Sequence, residues 1–142
     1  MNRISHILLL TGCVMMLAPL SSCRRDNTPE STSVMLLGKW TKTQYATDDN
    51  ANGVLDSWEI HDVSGDITNT LEFRKDATGV ELTTAAPDLN FNWRIGGDIS
   101  LIMEYGNADT ISYHVDDISG SRLTLSTGTK FGLAGYYYVK SF

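Results

Sequence analysis

The feature that most constrains the fold is a two-residue alternation of apolar and polar side chains, which recurs along most of the chain. Its clearest runs are residues 89–95 and 99–103, in which every odd-numbered residue is apolar. Successive side chains of a β-strand point to opposite faces, so each run predicts a strand with one buried and one wet face. No segment after Ser33 keeps an apolar stripe of helical period over three turns. The sequence therefore predicts an all-β domain.

Turn-forming residues separate these runs at regular intervals. The predicted turns are residues 76–79, 86–88, 96–98, 106–109 and 119–121, each rich in Gly, Asp, Asn, Pro or Ser. With a first strand over residues 38–47 and a last one over residues 134–141, the pattern gives eight strands joined by hairpins. An eight-stranded antiparallel up-and-down barrel would remove the exposed edges of such a sheet, and a flattened sandwich is the alternative. Residues 60–69 carry no clear pattern and stay unassigned.

The alternation also predicts what the inside of the barrel contains. Apolar residues that share one face of their strands include Leu71, Val80 and Leu82, and the interior is expected to be apolar and aromatic. An eight-stranded barrel is either filled by its side chains or lines a cavity for one small ligand. The residues expected to contact a small hydrophobic ligand are Trp40, Phe73, Phe91, Trp93, Met103 and Tyr113.

The N-terminus resembles the export signal of a bacterial lipoprotein. Arg3 precedes an apolar stretch at residues 7–17, which is too short to span a bilayer as a permanent helix. The residues Leu20-Ser21-Ser22-Cys23 then resemble a lipobox, in which the cysteine thiol receives a diacylglycerol, cleavage occurs before the cysteine, and its new amino terminus is acylated, for example with palmitate. This resemblance implies a signal peptide at residues 1–22, a lipidated Cys23 with a flexible tether at residues 23–33, and a folded domain at residues 34–142. An ordinary signal peptide is the alternative.

A family resemblance appears from Val34 onward. Gly38-Lys39-Trp40 resembles the Gly-x-Trp opening of lipocalins. The strand around Leu71-Glu72-Phe73, the aromatic strand Phe91-Asn92-Trp93 and the late strand around Leu123 also match. Together with the lipoprotein start, the chain resembles lipocalin-like domain lipoproteins of Gram-negative gut bacteria. The resemblance implies a barrel in which Trp40 plugs one end under a basic side chain, Lys140 or Arg122. Arg24 after Cys23 implies the outer membrane, with the periplasmic face or the cell surface left open.

One loop matches a calcium-binding pattern. Residues 48–59 satisfy D-x-[DN]-x-[DN]-G-x5-E, which supplies hard oxygen ligands at the spacing that calcium needs. Gly53 would permit the sharp bend. No clear helix follows the loop, so we expect a structural calcium ion of modest affinity, and a polar hairpin loop without an ion is the alternative. The predicted ligands are Asp48, Asn50, Asn52, the backbone carbonyl of Val54, Asp56 and Glu59.

Charge and motif content narrow the function further. The chain of 142 residues has 17 acidic against 11 basic side chains, a formal charge of −6, which argues against nucleic-acid binding. No arrangement of residues indicates catalysis, so a non-enzymatic protein is expected. The interpretation is a membrane-anchored monomer that binds a small hydrophobic ligand and calcium. The alternative is a filled barrel that recognises a protein or a glycan through its surface.

Overall fold

Eight antiparallel strands close into one barrel, as the alternation predicts. The structure is a computed structural model that describes residues 29–65, 69–106, 108–129 and 132–142. Within these residues one helix, α1 (Pro29–Leu36), precedes nine strands, and short 3₁₀ turns cover Ser57–Glu59 and Gly97–Ile99. The strands are β1 (Gly38–Thr47), β2 (Ile60–Asp62), β3 (Asn69–Phe73), β4 (Thr78–Thr83), β5 (Ala86–Ile95), β6 (Ser100–Tyr105), β7 (Thr110–Ile118), β8 (Arg122–Thr129) and β9 (Gly132–Ser141).

The strands pair in chain order and the last one returns to the first. Each strand from β3 to β9 pairs with its neighbour in sequence, and β9 also pairs with β1, which closes the barrel. Strand β2 pairs with the later half of β1, with Tyr45 opposite His61, on the same edge of β1 that β3 uses in the earlier half, while β9 pairs along the other edge. This short strand and the 3₁₀ turn before it occupy part of the region that the sequence pattern left unassigned.

The two ends of the barrel are built differently. We call the end that carries the connections 74–77, 96–99 and 119–121 the closed end, because α1 packs over it. The other end, with the connections 48–59, 84–85 and 106–109, is the open end. At the closed end Leu36 of α1 is fully buried against the barrel core, and Trp40 Nε1 donates a hydrogen bond to its carbonyl oxygen at 2.6 Å. Lys140 Nζ lies 4.9 Å from the centre of the Trp40 ring.

Helix α1 differs from the sequence prediction. The sequence predicts a flexible tether that includes residues 29–33, whereas the structure places these residues in the helix, with the Thr32 side chain fully buried. That part of the tether prediction is wrong. Pro29 takes the first helical position, where its missing N–H costs nothing, and burial of Leu36 stabilises the helix through tertiary packing. The remainder of the tether and the signal peptide lie outside the described residues.

The turn between β3 and β4 sets a register that the pattern did not predict. Residues 74–77 form the turn, and Ala77 adopts a left-handed conformation with φ of 63°. The Asp76 carboxylate accepts hydrogen bonds from Thr78 N at 3.1 Å and Thr78 Oγ1 at 2.7 Å. These bonds also lower the pKa of Asp76. Strand β4 therefore begins at Thr78, two residues before Val80, the first residue after the predicted turn.

In this register, the face of β4 that points into the barrel is the opposite of the predicted one. Leu71, which is buried in the core, lies opposite Glu81, and Thr70 lies opposite Leu82. Glu81 therefore faces the barrel interior, while Leu82 faces outward and Val80 is buried outside the core cluster. The prediction that Val80 and Leu82 face inward is wrong, because a shift of one residue moves every side chain of a strand to the other face. The turn predicted at residues 86–88 is also wrong, since β5 begins at Ala86 and the turn lies at residues 84–85.

The core fills the barrel beneath α1. In β5 and β6 the predicted alternation is confirmed, with Phe91, Trp93, Leu101 and Met103 buried. The Phe73 ring meets those of Phe91 and Trp93 edge-on, with ring centres 5.6 and 5.4 Å apart. Such edge-to-face pairs stabilise a core beyond the area that they bury. The buried core cluster comprises Leu36, Trp40, Leu71, Phe73, Phe91, Trp93, Leu101, Met103, Val115, Ile118, Leu123, Leu125 and Tyr138.

Candidate functional site

The loop predicted to bind calcium leaves β1 at the open end and folds back against the barrel wall. Its first and last predicted ligands are both buried, Asp48 with 2% and Glu59 with 0% of its surface exposed. Leu55, in the middle of the loop, packs beside Gly135 on the outer face of β9. Gly53 has a φ of 79°, so the sharp bend assigned to it is present.

The two buried carboxylates hold the loop together through backbone N–H groups. Glu59 Oε1 accepts hydrogen bonds from Asp49 N at 2.9 Å and Asn50 N at 3.4 Å, and Glu59 Oε2 accepts one from Asp56 N at 2.8 Å. Asp48 Oδ1 and Oδ2 accept from the N–H groups of Asn52 and Gly53 at 3.0 and 2.9 Å. Both charged groups are therefore satisfied by neutral donors, with no cationic side chain paired to either among the described residues.

The three middle ligands also face one another. The amide nitrogens Nδ2 of Asn50 and Asn52 each lie 3.2 Å from Oδ2 of Asp56. The amide oxygens of the same two asparagines accept hydrogen bonds from the N–H groups of Asn52 and Val54 at 2.9 and 2.8 Å. Within the described residues no group of three or more His, Cys, Asp or Glu side chains is arranged to hold a metal ion.

This donor set fits calcium in kind and order, and the loop must rearrange to take an ion. All five side-chain ligands offer oxygen, the element that calcium prefers, and they follow one another along a single bent loop. A cation would replace the N–H donors that now satisfy Asp48 and Glu59, and the two asparagine amides would turn their oxygens toward it.

The residues predicted to contact a hydrophobic ligand lie mostly in the packed core. Trp40, Met103, Phe73, Phe91 and Trp93 are all buried, and Tyr113 is partly buried against them. Trp93 Nε1 donates a hydrogen bond to Thr78 O at 3.0 Å, which fixes its ring. The structure therefore brings these six side chains together, and the five buried ones fill the barrel at their own level.

A polar group not found by sequence analysis lies above this core, toward the open end. Glu81 Oε1 accepts a hydrogen bond from Asn69 Nδ2 at 2.6 Å, and Glu81 Oε2 accepts one from the Tyr105 hydroxyl at 2.8 Å. Burial, followed by the hydrogen bond to Glu81 and its charge, raises the pKa of Tyr105. Burial also raises the pKa of Tyr113, with smaller contributions from Tyr136 and Glu81. The interior at this level therefore holds a carboxyl group among tyrosines.

A groove of about 520 Å³ opens beside Glu81 at the rim of the barrel. Two large apolar side chains are exposed on it, Leu89 with 50% and Ile111 with 37% of their surfaces accessible. Asp88 and Asp109 stand at the same mouth. Concave sites that combine apolar walls with a few polar groups are where small molecules bind in proteins.

A second groove, of about 640 Å³, adjoins this one and shares Asn90, Tyr105 and Gly106 with it. A groove of about 580 Å³ lies away from the rim, between α1 and the barrel, and its lining includes Val34, Trp93, Lys75 and Arg94.

The lipidation site and the membrane predictions concern other parts of the chain. Cys23 and the signal peptide at residues 1–22 lie outside the described residues. In the part of the chain that the structure describes, no helix has the length and apolar character needed to cross a membrane.

Sequence reasoning missed Glu81, Asn69 and Tyr105 for a physical reason. Val80 and Leu82 are more apolar than Glu81, so the alternation alone assigns the wrong face of β4 to the interior. The available signal was the turn. Asp76 followed two residues later by Thr78 is an Asx-turn pattern, and it would have started β4 at Thr78.

Comparison with known proteins supports the fold. No protein-family model matches the sequence, and no curated protein matches it. Among solved structures, a lipocalin-like protein from Bacteroides uniformis is similar with a TM-score of 0.52 and 17% identity, covering 75% of this chain and 99% of that one. Apocrustacyanin C2 gives a TM-score of 0.44 and 14% identity over 80% of this chain and 64% of that one. The chain has a lipocalin-like barrel fold.

Proposed function

We propose that this lipocalin-like barrel is a lipid-anchored, non-enzymatic binding protein of the bacterial outer membrane. It holds one small, largely hydrophobic ligand at its open end and a structural calcium ion in the loop of residues 48–59. The observation that carries the proposal is the contrast between the two ends. Helix α1 and the aromatic core seal one end, whereas the other keeps an apolar groove with Leu89 and Ile111 exposed at its mouth.

The depth of the filled core favours a ligand position near the rim. Trp40 and Met103 have almost no exposed surface, so a ligand at their level would have to displace packed side chains, at a cost of several kcal/mol. The groove beside Leu89 and Ile111 needs no such displacement. A ligand that covers these two side chains would gain about 25 cal/mol of binding free energy for each Å² of apolar surface removed from water.

A neutral fluorescent probe tests ligand binding. N-phenyl-1-naphthylamine should bind with saturable fluorescence enhancement, and Ile111→Ser should weaken its binding several-fold by removing an apolar wall. Val139→Ser is the matched control, because Val139 is similarly exposed, with 42% of its surface accessible, but lies outside this groove. Absence of saturable enhancement would favour the alternative of a filled barrel that recognises a protein or glycan through its surface.

The calcium part of the proposal is supported by the two buried carboxylates of the loop. Asp48 and Glu59 are held inside by N–H donors alone, and an ion would supply the positive charge that neither finds among the described residues. With three ionised ligands, Asp48, Asp56 and Glu59, we expect an affinity of about 0.1–1 mM, as in extracellular modules.

Thermal unfolding with and without 5 mM calcium chloride tests the ion. Binding to the folded state alone should add about 1–2 kcal/mol at these affinities, and magnesium should add less. Glu59→Gln should remove the calcium shift. Asp49→Asn should keep it, because that variant removes one charge from the same loop without removing a predicted ligand. If Glu59→Gln does not fold, Asp56→Asn takes its place. No calcium-dependent shift and no calorimetric heat in the unaltered protein would reject the ion.

The anchor rests on the sequence alone and has its own test. In cells fed a palmitate analogue, the protein should become labelled and fractionate with membranes. Cys23→Ala should abolish both properties. Cys13→Ala is the matched control, since that cysteine lies in the predicted signal peptide and its loss should leave labelling intact. A soluble, unlabelled unaltered protein would contradict the anchor.

A further inference from the structure

We infer that the open-end site selects a cationic amphiphile, a small organic amine with an apolar body, over a neutral or carboxylate ligand of the same shape. The inference rests on the proposed binding function and names the chemical class of its ligand. It follows from Glu81, whose carboxylate faces the barrel interior beside the groove that Leu89 and Ile111 flank.

The first step is that, within the described residues, the hydrogen-bond partners of Glu81 are neutral. Its two oxygens accept hydrogen bonds from the Asn69 amide and the Tyr105 hydroxyl. The ion pairs among the described residues join Glu72 to Lys39 and Arg74, and Glu104 to Arg94, so none of them reaches Glu81. A partly buried carboxylate without a cation gains from a ligand that brings one, because charge-assisted hydrogen bonds are about twice as strong as neutral ones.

The second step is an unused acceptor beside it. The side-chain oxygen of Asn69 is inaccessible to water and finds no hydrogen-bond donor within the described part of the chain. The same amide donates to Glu81 through its nitrogen, so the interior next to the carboxylate has an excess of acceptors. A ligand with several N–H donors matches this excess, and a carboxylate ligand would add to it.

The third step is the charge around the mouth. Asp88 and Asp109 line the same groove as Glu81. On β1, Lys42 faces inward toward this end, and its Nζ lies 5.5 Å from the centre of the Tyr136 ring. The charge of Glu81 also contributes to raising the pKa of Tyr105, Tyr113 and Tyr138. Among the described residues, Glu81, Asp88 and Asp109 therefore give this groove three carboxylates, against the single inward-facing cation of β1, Lys42.

The fourth step concerns the body of the ligand. Leu89, which lies opposite Glu81 on the neighbouring strand, and Ile111 of β7 offer apolar contact at the rim. The packed core limits how far an alkyl or aryl group can descend. A short amphiphile therefore fits better than a long acyl chain.

Displacement of N-phenyl-1-naphthylamine by three eight-carbon ligands tests the inference. Octylamine, which is cationic at pH 7 like a lysine side chain, should displace the probe at a concentration about ten-fold lower than octanol. Octanoate should need a higher concentration than octanol. Equal potency of the three, or a preference for octanoate, would overturn the inference while leaving the proposed binding function intact. Failure of the probe itself to bind would reject the proposed function instead.

Variants assign the preference to Glu81. Glu81→Gln keeps the size of the side chain, can still accept a hydrogen bond, and can donate one to Asn69, so we expect it to fold and to lose most of the ten-fold preference. Asp98→Asn is the control for net charge, because Asp98 lies at the closed end and asparagine tolerates its left-handed φ of 54°. Tyr105→Phe removes a neutral donor and should keep the amine preference. An unchanged preference in Glu81→Gln would overturn the assignment to this carboxylate, and if that variant fails to fold, the three ligands on the unaltered protein still decide the selectivity.

Discussion

The two ends of the barrel differ in how their side chains are packed and exposed. At the closed end, Leu36 and Trp40 are fully buried, and the carbonyls at the end of α1 are satisfied by Trp40 Nε1 and by Lys140 Nζ, which lies 3.4 Å from Met35 O. At the open end, carboxylates accept hydrogen bonds and two large apolar side chains stay exposed. Packing concentrated at one end can therefore stabilise the barrel, while the other end keeps buried polar groups and exposed apolar side chains.

Formal charge follows the same division. Among the described residues, the connections at the open end carry acidic side chains, including Asp48, Asp56 and Asp109. Basic side chains cluster at or beside the closed end, among them Arg74, Lys75, Arg94, Arg122 and Lys140. Because α1 follows the predicted tether from Cys23, the proposed lipid anchor would bring the basic end toward the membrane and leave the acidic end, with its proposed ligand site, facing away.

The same substitution at the two ends should give the largest contrast in stability. Trp40→Ala removes a fully buried ring together with its hydrogen bond to Leu36 and its contact with Lys140, and should lower the free energy of unfolding by about 3–5 kcal/mol. Trp58→Ala removes a side chain that is 60% exposed, and should change it by less than about 0.5 kcal/mol. Urea unfolding followed by far-ultraviolet circular dichroism measures both. Similar losses of stability in the two variants would contradict the conclusion that packing at the closed end stabilises the barrel.

Substitutions at two glycines test how closely side chains pack in the barrel core and at the open end. A Cβ at Gly79 would collide with the Phe91 ring and with Glu72 O, so Gly79→Ala should cost about 1–3 kcal/mol. Gly106, at the open end, has no heavy atom within 4 Å of the corresponding position. Gly106→Ala should therefore be close to neutral. The unfolding midpoint in urea gives both values, and a neutral Gly79→Ala would show that the Phe91 ring moves freely.

Alkaline pH probes the interior between the two ends. Burial raises the pKa of Tyr138 well above its ordinary value, with smaller contributions from nearby tyrosines and Glu81. The unfolded chain therefore releases the Tyr138 proton at lower pH than the folded one, so stability is complete below the ordinary tyrosine pKa of 10.0 and falls as pH rises above it. Tyr138→Phe should reduce that fall by roughly 1 kcal/mol per pH unit.

The matched control for this pH dependence is Tyr45→Phe, since Tyr45 is exposed at the surface. Urea midpoints between pH 9 and 11 should differ between the unaltered protein and Tyr138→Phe and coincide for Tyr45→Phe. An equal effect of both substitutions would show that burial is not the cause.

Much of the barrel could be predicted from local patterns. The alternation in residues 89–95 and 99–103 identified β5 and β6 and their buried faces, and Gly-x-Trp correctly indicated where the first strand begins. Helix α1 could not be predicted in this way. Its eight residues carry no strong amphipathic stripe, and it forms because Leu36 and Thr32 find a place over the end of a barrel that only the whole chain creates.

For the candidate sites, the loop proposed to bind calcium could be recognised from the sequence, because all its predicted ligands lie within twelve consecutive residues at a fixed spacing. The tertiary structure alone decided that Glu81 faces inward and that five of the six predicted pocket residues are packed core. The physical reason is register. The turn that includes Ala77 sets the register of β4 so that Glu81 faces inward. The cost of burying this carboxylate is offset by hydrogen bonds from Asn69 and Tyr105. Both partners lie on other strands, so they cannot be recognised in the linear sequence.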